Sequence, residues 1–275
     1  MTLSTIRNNP AKQKKVKTKK QKAIAATCAV AFWLLVWHVV SLCVGSELVL
    51  VSPVKVVQTL FTVIFDPDFL KTVWYSAARI LGGFFTALTL GTVLGWVASR
   101  FWGVETLLRP ITAVIKATPV ASFIILVLLW FSGKNLSVII SMLMVFPVIY
   151  MNVLEGIRSA DEKLLEMAQV FRLSVGKKLL YIYLPAVAPF FVSACSVSLG
   201  LCWKSGIAAE VIGTPDGSIG AVFYQAKIFL QTSELLAWTV VVVAVSVAFE
   251  KLFMFLLRLV LKKLKMEDVL NGKRA

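Results

Sequence analysis

Six apolar runs, each close to twenty positions or longer, divide the sequence: Ala23–Val44, Thr72–Ser99, Ile111–Phe131, Leu136–Leu154, Ala186–Ile207 and Leu235–Val260. About 20 apolar residues cross a bilayer core as a helix. The runs lack the period-two alternation of barrel strands. The pattern predicts an all-α, polytopic membrane protein with six transmembrane helices. Its second span carries Gly83, Ala87, Gly91, Gly95 and Ser99 every four residues, a small ridge that lets another helix approach closely. Pro119 and Pro147 fall within spans, where they predict kinks or freed carbonyls.

The segments between the runs are uneven. "VSPVKVVQTLF" reads as a short amphipathic helix opened by Pro53, and Ser132–Asn135 as a tight reversal. The stretch 208–234 holds "GTPDGSIG", rich in turn residues, followed by "AVFYQAKIFL" with helical character. Most unusual is 156–185, polar and long. Ser159-Ala160-Asp161-Glu162 reads as a capping box, with Ser159 as the cap. Leu164, Ala168 and Phe171 then share a helical face, and Ser174 can cap a second helix that ends at Pro185. Two amphipathic helices exceed what a plain connector needs. They suit either a lipid surface or a groove on a soluble partner.

Charge orients the spans. With the N-terminus inside, twenty-one Lys/Arg fall on inner segments, eight of them in residues 1–22, against four outside: Lys55, Lys71, Lys134 and Lys227. The positive-inside rule then places both termini and the 156–185 loop in the cytoplasm. The basic tail reads as a cytoplasmic flank attracted to anionic lipid rather than as a nucleic-acid arm. A net charge of +15 and a mean hydropathy of +0.84 agree with a multi-pass membrane protein whose basic flanks face the cytoplasm. The first run is too long for a cleaved signal peptide and no A-x-A site follows it, so it reads as a retained anchor.

Enzymatic chemistry finds little support. No stretch fits G-x-x-x-x-G-K-[ST], so no ATP site is expected here. His38 is the one histidine, and the four cysteines (Cys28, Cys43, Cys195, Cys202) lie in spans without metal spacing, as small buried side chains. Neither a cofactor nor a metal is expected. Charged residues inside or near spans each suggest a role, because charge at mid-bilayer is costly. Arg79 could tie to backbone carbonyls or a carboxylate, or touch a substrate. Lys116 sits near an inner end, where it could snorkel. Lys204, beside Trp203 and two turns before Glu210, suits a transport path or an internal pair with that glutamate. Glu250 and Lys251 suit the interface or a neighbouring helix.

The 156–185 loop also resembles a known motif. Glu166-Met167-Ala168, three residues, Arg172, nine residues and Ile182-Tyr183-Leu184-Pro185 look like the EAA loop of ABC importer permeases. Over roughly residues 50–260 the chain is similar to permeases of the nitrate/sulfonate/taurine type. The matching pieces are "SAARILGGF", "TPVASFIILVLLWFSG", "FPVIYMNVLEGI" and "WKSGIAAEVIG". The family's glycine in the loop is Arg172 here, and a left-handed turn at that point would cost arginine about 1–2 kcal/mol.

The resemblance implies a type I importer permease fold with a basic tail at 1–22, a permease domain at 23–260 and a second tail at 261–275. It implies a homodimer, two cytoplasmic ATPase subunits that carry the ATP, and an external substrate-binding protein. Leu164, Glu166, Ala168, Phe171, Arg172, Ile182, Leu184 and Pro185 would couple to the ATPase. Arg79, Lys116, Trp203, Lys204 and Glu210 are candidates for the translocation path. A small anion such as nitrate, a sulfonate or taurine is the expected substrate, with a cationic heterocycle such as a thiamine precursor as the alternative. A self-sufficient secondary transporter and a membrane scaffold are the readings from other classes.

Overall fold

A computed structural model describes residues 19–264, and every regular element among them is helical. The basic residues Arg7, Lys12, Lys14, Lys15 and Lys17, and Lys265, Lys273 and Arg274 of the second tail, lie outside the described residues. Two compact units divide in sequence between Lys55 and Val56. In the first, α1 (Lys19–Val44) ends at Gly45, whose φ of +64° continues the chain in the left-handed region that glycine tolerates. The chain then folds back on its own helix. Trp37 Nε1 donates to the Val51 carbonyl and Ser41 Oγ to that of Leu50, both at 3.1 Å. Cys28 and Cys43 are exposed on α1 rather than buried.

The amphipathic helix expected at Pro53 is α2 (Pro53–Ile64), with proline where no N–H is needed. The second unit continues with α3 (Phe69–Arg100), α4 (Trp102–Ala117), α5 (Val120–Trp130) and α6 (Gly133–Arg158). It goes on through α7 (Glu162–Val170), α8 (Val175–Lys178), α9 (Leu184–Gly213), α10 (Ile219–Ile228) and α11 (Thr232–Lys263). Among the described residues five helices are long and apolar enough to span a bilayer, and six when the broken pair α4–α5 counts as one.

The core lies where α6 packs along both α3 and α9, around Ile80, Phe84, Ile149, Leu199 and Trp203. The small ridge of α3 makes that approach possible. A Cβ on Gly83 would collide with the Val138 carbonyl and Ser141, one on Gly91 would stand 3.0 Å from Ile149 Cβ, and one on Gly95 3.0 Å from Val153 Cγ1. At the C-terminal end of α3 the ridge turns by one residue. Ala98, not Ser99, is the buried member, packed with Tyr150 and Leu154.

Two spans differ from their outline in the sequence. The third run does not cross as one helix: α4 and α5 meet at 110°. Pro119 forces Thr118 into extended backbone (φ −82°, ψ 133°), and the Thr118 hydroxyl donates to the Val114 carbonyl at 2.8 Å. Pro147, by contrast, is carried inside an unbroken α6. Before Pro185, five residues from Leu179 to Tyr183 widen into a π turn, so α8 runs into α9 as one long helix. The wider turn is the local relief for a proline ring that would clash with the carbonyl four residues earlier.

Gly91→Leu tests the close α3–α6 packing. Overpacking at this contact should destabilise the fold by about 1–3 kcal/mol or more, seen as lower membrane abundance and a lower melting temperature in detergent. Unchanged values would show that the ridge does not set the packing.

Candidate functional site

The 156–185 loop is a helical corner. Its cap differs from the capping box read in the sequence. Ser159 closes α6 and its hydroxyl donates back to the Gly156 carbonyl at 2.8 Å, while Asp161 caps α7 by accepting from the Lys163 N–H at 2.9 Å. A carboxylate two residues further on serves the helix N-terminus better than a hydroxyl still engaged in the previous helix. Ser174 does occupy the cap position of α8, but its hydroxyl makes no capping bond.

The apolar face of α7 is also split differently. Ala168 is fully buried and packs with Ala160, Ile182, Leu165 and Leu173, so it faces its own chain and is not free to seat a partner. Ile182 is buried in the same cluster, and Leu184 and Pro185 are partly buried. Leu164 and Phe171 are exposed along the edge of that contact, joined by Met167 and Val170. Val170, Phe171 and Val175 are 79%, 71% and 81% exposed, a large apolar surface for a loop that leaves the membrane. Glu166 is exposed beside it.

Arg172 stands in the left-handed region, with φ of +48°. Its N–H donates to the Gln169 carbonyl at 3.0 Å and the Leu173 N–H reaches back to Ala168 at 2.9 Å, the two bonds of a Schellman C-terminus. Leu173 packs against Ala168 across it. The conformation therefore asks for glycine, and the chain bears arginine there.

The expected path residues do not form one group. Trp203 is buried in the α3–α6–α9 core. Glu210, also fully buried, is a structural fastener rather than a cavity wall. Its Oε2 accepts from Ser76 Oγ at 2.6 Å and from the Gly220 N–H at 3.3 Å, while Ser76 Oγ accepts from the Ile219 N–H at 2.9 Å. With Ser218 Oγ accepting from the Ala221 N–H at 3.0 Å, the first three amides of α10 all find side-chain oxygens. Lys204 is exposed, so no Lys204–Glu210 pair forms. Arg79 finds neither a backbone carbonyl nor a carboxylate. Its guanidinium lies 4.6 Å from the centre of the Tyr75 ring and donates to Asn135 Oδ1 at 3.4 Å. Glu250 accepts from Ser196 Oγ on α9 at 2.9 Å, a neighbouring-helix contact as expected.

Lys116 lies on a cavity wall. With Arg109, Thr112, Ala113, Ala117 and Met151 it lines an open groove of about 370 Å³ between α4 and α6, in which Arg109 and Lys116 are both exposed. Arg109 went unnoticed in the sequence because it reads as one more loop cation. Its place seven residues before Lys116, on the same helical face, was the available signal. Among the described residues no group of three His, Cys, Asp or Glu side chains could hold a metal ion.

Both the sequence and the fold have relatives among known proteins. Residues 87–266 match the family described as binding-protein-dependent transport system inner membrane component. A putative aliphatic sulfonates transport permease protein of Escherichia coli (strain K12) is 35% identical over 230 residues, covering 78% of this chain and 82% of its own. A taurine transport system permease protein of the same organism is 27% identical over 220 residues, covering 78% and 80%. Among solved structures, an amino acid ABC transporter crystallised with histidines shares the fold at 16% identity and a TM-score of 0.50, over 70% of this chain and 96% of that one.

Arg172→Gly should relieve the strained turn by about 1 kcal/mol. The gain is read as slower hydrogen exchange of the Leu173 amide. Unchanged exchange would show that the turn carries no strain.

Proposed function

Because the chain belongs to the family of binding-protein-dependent transport system inner membrane components, we propose that it is the moving subunit of an ATP-driven importer, worked from outside the bilayer through its 156–185 corner. The multi-pass inner-membrane permease is the family's own character. The observation that carries the coupling role is the exposed apolar row Leu164, Met167, Val170 and Phe171, along a segment that Ala168 and Leu165 fasten to its own chain. Burying such side chains is worth roughly 1.5–3 kcal/mol each. A groove on a soluble partner gains that burial, and the rigid Schellman turn and unbroken α8–α9 helix pass a push on the corner directly to a span.

The rest of the reading follows from chemistry. The chain has no phosphate-binding loop, so the ATP belongs to a separate ATPase subunit. The assembly is a homodimer of this chain with two ATPases and an external binding protein. The Lys/Arg asymmetry supports both termini and the corner on the cytoplasmic side. Relatives named for sulfonates and taurine support a small anion, such as a sulfonate, taurine or nitrate, as substrate.

Phe171→Asp tests the coupling contact. In proteoliposomes it should lower both ATPase co-purification and ATP-driven uptake roughly tenfold or more, with membrane abundance of the chain unchanged. Uptake at the unmodified rate would sink the coupling role.

A further inference from the structure

The cavity between α4 and α6 has an unusual wall. Arg109 and Lys116 stand two helical turns apart on one face of α4, and two alanine methyls, Ala113 and Ala117, leave room beside them. The two ion pairs formed among the described residues are Lys55–Glu47 and Arg158–Glu105, so neither cavity cation is neutralised by a carboxylate. Lys116 Nζ meets only Met151 Sδ, at 3.5 Å, and a thioether is a weak acceptor. The Thr112 hydroxyl is already engaged with the Leu108 and Arg109 carbonyls. The cavity thus offers donors and positive charge with almost no acceptor. A second cavity, of about 300 Å³ beside α11, sets Lys251 and Arg258 together with Glu250, which blunts its field for an anion.

We propose that Arg109 and Lys116 form an oxyanion site, occupied by the transported anion on its way past the α4–α5 break. The proposal rests on the importer reading and gives its substrate class a place. The guanidinium presents paired N–H donors that match a sulfonate or nitrate edge, and the ammonium adds a mobile point charge. About 370 Å³ falls in the range of small-molecule sites, about 300–1,000 Å³. A lipid phosphate shares this chemistry, so the test separates the two sources.

Met151→Cys sets a thiol beside Lys116. The full complex, purified with its ATPase in phosphatidylcholine nanodiscs, is labelled with anionic sulfonatoethyl methanethiosulfonate and with its cationic trimethylammonioethyl counterpart. Mass spectrometry reads the introduced thiol apart from the native cysteines. The ratio of the two rates cancels any change in thiol acidity. It should favour the anionic reagent on the order of tenfold, fall towards one when Lys116→Gln or Arg109→Gln is added, and drop when ethanesulfonate competes. A ratio indifferent to both neutralisations, or a thiol unreactive to both reagents, overturns the site. Protection by added phosphatidylglycerol but not by ethanesulfonate assigns the cations to lipid and overturns it equally. Labelling needs no ATP turnover, and ATPase co-purification is scored separately, so failure of this site is distinguishable from failure of the importer reading.

Discussion

Hydrocarbon offers a peptide group no hydrogen-bond partner, and an unpaired N–H or carbonyl there costs several kcal/mol. Two breaks in the helical pattern among the described residues carry a local answer to that demand. Before Pro185 a π turn re-pairs the backbone, with the Leu184 N–H reaching the Leu179 carbonyl. At the start of α10, Ser76, Glu210 and Ser218 supply the oxygens that three helix-terminal amides lack.

The same constraint divides the molecule into parts that hold and parts that can move. Glycines on α3 bring its backbone against α6, and the Ser76–Glu210 bond ties the N-terminal end of α3 to α9, with α10 joined to it through Ile219 and Gly220. α4 is held more lightly. Its start is fastened by Glu105 to Arg158 at 2.5 Å, a half-exposed pair worth about 0–1 kcal/mol, and its end is the 110° break. The cationic cavity lies on this lighter element, beside a rigid core and below a hinge-like break. The apolar corner of α7 and α8 sits at the far end of the continuous helix that enters that core.

Local patterns made much of this legible from residues alone. The apolar runs, the ridge of Gly83, Gly91 and Gly95, the helix at Pro53 and the left-handed demand at Arg172 are all short-range signals. What stayed hidden depends on contacts far apart in the chain. Ser76 and Glu210 are 134 residues apart, and nothing near either one announces the bond. Ala168 looks like one more member of an apolar face until Ile182 and Leu173 fold over it. Ser159 and Asp161 are both good caps, and the choice fell to where α6 ends. The third run reads as a single span because hydropathy does not register direction, which Pro119 changes.

If this chain is one of two permease subunits driven by separate ATPases, its complex has a defined composition. Native mass spectrometry of the complex purified through a tag on this chain, from its own host, tests it most directly. Two copies of the chain with two copies of an ATPase are the predicted composition. The chain purified alone, and still transporting in vesicles without ATP, would contradict the account and leave a self-sufficient transporter in its place.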